Sequence, residues 1–244
     1  MKIHYSAQTE ASSVRPTRNE DCFATGEGRW SEDSGYLFVV ADGICRPDDD
    51  CQIAKIAVEA ICSRFYDDKS DNRFKAVQRA FAYANEQVIA AGRNELGATI
   101  VAALILDNDV HVANVGNGRA YLFRNGTLRQ ITQDHSLAAE FIRKGFCTER
   151  DLRIRPHSLF KVYKALGVES GVEADLFSQT LHPQDSIVLC TDGVSGWLND
   201  NDDQIARVLQ TCAWEHAAIE LIALADRLGG HDDKTAMVIL CQAS

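Results

Sequence analysis

Several features that define common protein classes are missing from this sequence of 244 residues. No Cys-x-x-Cys pair occurs among its 8 cysteines, which argues against a structural zinc knuckle. No apolar run reaches the roughly 18 residues of a membrane span, and residues 1–5 lack the apolar core of a signal peptide. No Pro/Gly/Ser-rich linker or internal repeat divides the chain. We therefore expect a single domain over residues 1–244, in a cytoplasmic protein that does not bind membranes.

The chain also has fewer positively charged than negatively charged residues. The chain has 25 Lys and Arg against 35 Asp and Glu, so its net charge at pH 7 is -10. This balance argues against a sequence-independent grip on nucleic acid or on anionic lipid. The cysteines are scattered, several of them in apolar stretches, which suits reduced thiols better than a disulfide framework. We expect a monomer that binds no nucleic acid.

The periodicity of the apolar residues predicts both helices and strands. A continuous apolar run at residues 35–41 predicts a buried strand. Residues 99–123 predict an antiparallel meander of short strands, closed by the hairpin signal Asn125-Gly126. The polar, basic stretch at about 145–165 has no period and predicts an exposed flap. Further helices are predicted at 53–61, 71–92 (capped by Asp71 and stopped by Gly92), 135–144, 204–210 and 217–227, and further strands at 186–191 and 235–240. Together these elements predict an α+β fold of packed antiparallel sheets with helices on the outer faces.

Two segments share an unusual pattern, in which an apolar strand ends in Asp-Gly. One strand ends at Asp42-Gly43 and the other at Asp192-Gly193. Taken alone, each dipeptide is more often a hairpin turn, because Asp-Gly is among the strongest turn signals. No partner strand directly follows either of them, however. We therefore expect the two carboxylates to have a role other than turn formation at the edge of the core.

Further carboxylates occur in two other segments. Glu20 and Asp21 follow shortly after Arg15 and Arg18, and Asp232 is followed by a second aspartate before the last strand. Clustered carboxylates repel each other and resist burial unless they are protonated or bridged by cations. Oxygen ligands select hard ions such as Mg²⁺ or Mn²⁺, and two such ions suit the hydrolysis of a phosphate ester.

Six motifs, in this order and spacing, resemble those of the metal-dependent protein phosphatases, the type 2C serine/threonine phosphatases, and the compact length resembles the bacterial branch. The resemblance covers about residues 6–240. The motifs are Arg-Pro-Thr-Arg-Asn-Glu-Asp, Val-Val-Ala-Asp-Gly, Ala-Asn-Val-Gly-Asn-Gly-Arg-Ala-Tyr, Thr-Gln-Asp-His-Ser, Cys-Thr-Asp-Gly and His-Asp-Asp-Lys-Thr.

The resemblance implies a β-sandwich flanked by helices on both faces, in α-β-β-α layers, with two Mn²⁺ or Mg²⁺ ions in a cleft at one end. It implies that Asp42 bridges both ions and that Asp192 and Asp232 complete the shell of one. Glu20 and the Gly43 carbonyl would serve the other ion, and Asp21 would orient metal-bound water. The implied activity is hydrolysis of phosphoserine and phosphothreonine in proteins by a metal-bridging water, opposing a bacterial serine/threonine kinase.

The sequence departs from the family pattern in three places. The phosphate-binding arginine usually stands three residues before the asparagine, whereas Arg15 is four before Asn19 and Arg18 is adjacent to it. We favour Arg15 and keep Arg18 as the alternative, because a guanidinium at either place suits phosphate oxygens. The usual glycine-rich stretch is replaced at residues 44–50. Asn117 stands where an aspartate helps to hold a third metal in bacterial relatives, so we expect that site to be weak or absent.

One alternative belongs to a different functional class. A pseudophosphatase would keep the fold and bind a phosphoprotein or a regulatory partner without turnover. The altered loop and Asn117 motivate this alternative. Retention of every metal carboxylate argues against it, since clustering carboxylates without an ion is costly.

Overall fold

The computed structural model describes residues 1–31, 33–46, 52–92, 95–148, 151, 161–198 and 202–243. The strands in these ranges are β1 (Lys2–Glu10), β2 (Asp21–Thr25), β3 (Tyr36–Ile44), β4 (Gly97–Leu106), β5 (Asp109–Val115), β6 (Arg119–Arg124), β7 (Thr127–Gln130), β8 (Asp175–Thr180), β9 (Ser186–Cys190) and β10 (Lys234–Gln242). The helices are α1 (Ile53–Asp67), α2 (Arg73–Gly92), α3 (Leu137–Arg143), α4 (Asp192–Leu198), α5 (Asp202–Thr211) and α6 (Trp214–Arg227).

The strands form two five-stranded antiparallel sheets. The first, sheet A, has the order β1-β10-β9-β6-β7, and the second, sheet B, has the order β2-β3-β4-β5-β8. All the pairs within each sheet are antiparallel. The predicted α+β sandwich of antiparallel sheets is confirmed.

The apolar run of β3 explains how sheet B is covered on both sides. Successive side chains of a strand point to opposite faces. Leu37 and Val39 accordingly pack with α1 and α2, whereas Phe38 and Val40 pack with sheet A. Because both faces of β3 are buried, its sequence is continuously apolar and does not alternate.

Sheet A is covered in the same way on its outer face. Val188 of β9 and Val238 of β10 pack against Leu221 and Ile222 of α6, together with side chains of α4 and α5. The inner faces of the two sheets meet in a core that includes Ile187 of β9. The layers are therefore helices, sheet B, sheet A and helices, which confirms the predicted α-β-β-α arrangement.

The predicted meander is only partly correct. β4 and β5 pair, but β5 pairs next with β8, while β6 lies in sheet A between β7 and β9. The hairpin at Asn125-Gly126 joins β6 to β7 as predicted, and both residues have the positive φ angles, 51° and 80°, that such a turn requires. The chain therefore crosses from one sheet to the other at residues 116–118.

Other sequence predictions are corrected in detail. The helix α2 is capped by Asn72 and not by Asp71, because the Asn72 side chain accepts a hydrogen bond from the Lys75 amide at 2.9 Å. Cys45 is disulfide-bonded, so the expectation of reduced thiols is wrong at that position.

Most of the flap predicted at 145–165 lies outside the described residues. In the ranges that are described, no helix is both long and apolar enough to cross a membrane.

Candidate active site

The predicted site residues lie at strand ends that meet at one end of the sandwich. Asp42 and Gly43 lie near the end of β3, and Asp21 opens β2. Asp192 follows β9, and Asp232 precedes β10 by two residues. Since β9 and β10 are antiparallel neighbours, with Cys190 opposite Ala236, the end of one lies beside the start of the other. Four separated segments are thereby brought together.

Backbone pairing fixes the segment of Glu20 and Asp21 against β3. Asp21 and Asp42 are register partners in the antiparallel pair of β2 and β3. The amide of Gly43 donates a hydrogen bond to the carbonyl of Glu20 at 3.0 Å. Two carboxylates are consequently placed opposite each other by main-chain geometry alone.

Two hydroxyl groups hold the Asp21 carboxylate. Thr191 and Thr235 both donate to Oδ2 of Asp21, each at 2.8 Å. The amide of Thr235 in turn donates to the Thr191 hydroxyl at 3.0 Å, which links β10 to β9 at this point. Asp21 is buried. One of its oxygens is thus fixed, and Oδ1 accepts no hydrogen bond from the described part of the chain.

Asp233, the second aspartate after Asp232 in the sequence, is a structural member of the site. It is buried, and its two carboxylate oxygens accept hydrogen bonds from the amides of Ser12, at 2.6 Å, and Glu20, at 2.7 Å. Asp233 therefore ties the segment that carries Glu20 to the start of β10. Sequence reasoning missed Thr191 and Thr235. The available signal was their position, since Thr191 immediately precedes Asp192 and Thr235 follows Asp232 by three residues.

The buried, mutually repelling carboxylates of the site favour a bound cation. Burial raises the pKa of Asp42 well above its ordinary value of 3.8, and the charges of Asp192 and Asp21 raise it further. Burial likewise raises the pKa of Asp21 to about 8, against the lowering effect of the two threonine hydroxyls. The pKa of Asp192 is raised by burial and by the charge of Asp232. Carboxylates that repel each other in this way are stabilised by divalent ions, and their oxygens are the donors that Mg²⁺ and Mn²⁺ prefer.

The cluster is arranged loosely. Among the described residues, no three His, Cys, Asp or Glu side chains stand close enough together to form a ready-made metal site. The Asp232 side chain is 60% exposed. Glu20 forms ion pairs with Arg15 and Arg18. The donor set fits divalent ions in its chemistry, since all its donors are oxygens, and these lie at adjoining strand ends.

The two candidate phosphate-binding arginines differ in their surroundings. The Arg15 guanidinium lies 3.3 Å from Oε2 of Glu20 and 3.9 Å from Oδ1 of Asp232, and 43% of the side chain is exposed. The Arg18 guanidinium lies 2.5 Å from Oε1 of Glu20, donates to the Arg46 carbonyl at 3.0 Å, and is 20% exposed. Arg15 therefore spans two candidate metal carboxylates at the mouth of the site, whereas Arg18 is fixed to the loop after β3.

Asn117 contacts the site in a way that an aspartate could not. Its amide nitrogen donates to Oδ2 of Asp192 at 2.8 Å. Its carbonyl oxygen is buried and has no hydrogen-bond partner in the described part of the chain. The substitution by asparagine thus replaces a repelling carboxylate with a donor that orients Asp192.

Comparison with known proteins defines the class. The protein phosphatase 2C family profile matches residues 12–228. The serine/threonine phosphatase stp of Listeria welshimeri is 27% identical over 246 residues, covering 97% of this chain and 95% of that protein. The crystal structure of the Mycobacterium tuberculosis phosphatase PstP/Ppp has a TM-score of 0.85 and 25% identity, with both chains covered completely. A structure of the PstP catalytic domain in complex with 2 manganese ions has a TM-score of 0.82 and 24% identity, covering 99% of each chain.

Fold and site together define an enzyme of the protein phosphatase class. The chain belongs to the protein phosphatase 2C family. The match covers 95% of each of two Listeria serine/threonine phosphatases, which supports hydrolysis and not the pseudophosphatase alternative. Its substrates are accordingly phosphoproteins.

Proposed function

We propose that this chain hydrolyses phosphoserine and phosphothreonine in proteins, using two Mn²⁺ or Mg²⁺ ions. Glu20, Asp42, Asp192, Asp232 and the Gly43 carbonyl would hold the ions, with Asp42 shared between them. The observation that carries the proposal is the group of mutually repelling carboxylates at the ends of β3 and β9, whose pKa values are raised by burial and by each other. The named relatives of bacterial origin and the manganese-bound relative support it.

The bound ions would supply a water of lowered pKa and would neutralise charge on the phosphoryl oxygens. Asp21 would orient that water, because its Oδ2 is fixed by Thr191 and Thr235 while its Oδ1 is left to accept a proton. Arg15 would bind the phosphate through its planar fork of donors, released from Glu20 and Asp232 as substrate arrives. Arg18 remains the alternative for that role.

The third metal site of bacterial relatives is proposed to be weak or absent here. Asn117 brings no negative charge to it, and its amide is already used on Asp192. In the cell we propose a cytoplasmic monomer that opposes a bacterial serine/threonine kinase, acting on the kinase or on its targets, without binding nucleic acid. The net charge of -10 supports the last of these points.

The experiment is phosphate release from a phosphothreonine peptide and from a small aryl phosphate, with Mn²⁺ and with excess chelator. We expect turnover of both substrates with Mn²⁺ and none with the chelator. Asp192→Asn should abolish turnover, whereas Asp109→Asn, at the start of β5 and outside the site, should not. Background rates for the Mn²⁺-loaded wild type on both substrates would refute the proposal.

A further inference from the structure

Lys234 is a charged side chain buried behind the carboxylate cluster, and the proposed reaction does not use it. It is the first residue of β10, and only 1% of it is exposed. Burial of an ammonium group is costly unless the group is paired and hydrogen-bonded. The partners of Lys234 therefore indicate what its burial achieves.

Those partners are a backbone carbonyl of the site and the end of a helix. The Lys234 ammonium donates to the carbonyl oxygen of Asp232 at 2.9 Å and lies 3.0 Å from Oδ1 of Asp226. Asp226 belongs to the last turn of α6, where a positive charge is favourable and a negative one is not. The ammonium thus connects the main chain of a candidate metal ligand to a packed helix.

Asp192, the candidate ligand that follows β9, is packed against the same segment. A Cβ atom placed on Gly193 would lie 1.8 Å from the Asp233 carbonyl oxygen and 3.3 Å from Cγ of Lys234. The Asp192-Gly193 turn is therefore packed directly on the Asp233-Lys234 backbone, and only glycine permits this approach. Asp192 and Asp232 share one support, and Lys234 anchors it.

Lys234 also stands next to a buried negative charge. Asp233 adds a carboxylate to a region that already holds Asp21, and its charge raises the pKa of that group. The lysine places a positive charge at the next position along the chain.

We propose that Lys234 is a positioning residue of the metal centre. It fixes the backbones of Asp232 and Asp192 so that both carboxylates point toward the same ion. The inference rests on the proposed function, because it assumes that these carboxylates bind metal. It places the effect of Lys234 on metal affinity and not on turnover by the metal-saturated enzyme.

The sign of the change in affinity separates positioning from charge. Loss of a positive charge near the site removes a Coulomb repulsion of the cation, and this alone should make Mn²⁺ bind more tightly. Loss of positioning should make it bind more weakly, by about tenfold, as for other residues that orient metal ligands. We therefore expect Lys234→Met to raise the Mn²⁺ dissociation constant measured by calorimetry and to recover wild-type kcat at saturating Mn²⁺.

Arg124→Met is the matched control for a loss of stability alone. It removes the 2.6 Å ion pair with buried Asp185, at the opposite end of the same sheet. We expect it to lower the melting temperature of the metal-free protein but to leave the Mn²⁺ dissociation constant unchanged. A folded Lys234→Met protein that binds Mn²⁺ as tightly as wild type, or more tightly, overturns the inference.

A second pair of variants covers the case in which Lys234→Met does not fold. Asp226→Asn weakens the anchor at a half-exposed position, and Glu220→Gln removes a charge from an exposed position of the same helix. We expect the former to weaken Mn²⁺ binding by a larger factor than the latter, and equal effects overturn the inference. If the wild type neither binds Mn²⁺ nor hydrolyses substrate, the proposed function itself fails. If it does both and the variants match it, only the inference about Lys234 fails.

Discussion

Asp21 and Asp42 face each other as register partners across β2 and β3. Directly opposed residues of an antiparallel pair have Cβ atoms about 4.5 to 5.5 Å apart, and like charges at such positions are destabilising. The backbone pairing leaves these carboxylates little freedom to separate. Protonation or a bound cation must relieve the repulsion, and this choice makes the stability of the protein depend on both pH and metal.

The metal-free protein should lose stability as the pH rises. The folded-state pKa of Asp21 is about 8, above its ordinary value of 3.8, so the folded state holds a proton that the unfolded state has released between these values. The contribution of that proton is complete at low pH and disappears as the pH approaches about 8. We expect the melting temperature without metal to fall between about pH 5.5 and about pH 8.

Mn²⁺ should reverse this trend, because the ion takes the place of the protons and binds the ionised carboxylates. The increase in melting temperature on adding Mn²⁺ should therefore be larger at the upper end of the pH range. Thermal melts at several pH values, with Mn²⁺ and with chelator, provide the measurement. A metal-free melting temperature that rises over the same range would contradict the electrostatic account of the cluster.

Arg15 and Arg18 should separate in steady-state kinetics. Arg15→Met removes the guanidinium that spans Glu20 and Asp232 at the mouth of the site. A hydrogen bond between charged groups contributes about 1.5 to 3 kcal/mol, so we expect the KM for an aryl phosphate to rise by at least about tenfold. Arg18→Met should change KM less, because its guanidinium is fixed to the Arg46 carbonyl. The reverse order of effects would assign the phosphate to Arg18.

Asn117→Asp should restore a ligand for a third ion. The change replaces the donor to Asp192 with a carboxylate, so repulsion in the metal-free protein increases and an additional cation becomes favourable. We expect calorimetry to show more Mn²⁺ bound per chain than in the wild type. Asn117→Ala is the control, because it removes the same hydrogen bond without adding charge. Identical stoichiometry in all three proteins would show that Asn117 does not limit the third site.

The sequence was most informative where burial and chemistry coincide. β3 is apolar on both faces and ends in Asp42, so its pattern predicted both a strand and the position of a carboxylate. β1, β2 and β8 were missed because they are edge strands whose residues are mostly half-buried, which leaves no clear apolar pattern. The crossing from β5 to β6 was missed because both strands are apolar, and periodicity does not tell which sheet a strand joins.

Within the site, the candidate ligands could be predicted, but the groups that hold them could not. The motifs of the amino-acid sequence are sufficient to point to Asp21 and Asp42. Thr191 and Thr235 act through contacts with Asp21, far away in the chain, and Lys234 acts through the packing of α6 against the start of β10. Such contacts depend on sheet register and helix packing, which local patterns in the sequence do not reveal.

The most direct test is a Mn²⁺ titration of Asp42→Asn and wild type, followed by phosphate release from a phosphothreonine peptide. Loss of residues that merely orient metal ligands costs about 10 to 100-fold in affinity or activity, and loss of the bridging ligand should cost more. We predict that the wild type turns over peptide in proportion to bound Mn²⁺, and that folded Asp42→Asn falls by more than about a hundredfold in activity and binds Mn²⁺ more weakly. Equal Mn²⁺ affinity and equal turnover in the two proteins would contradict the account.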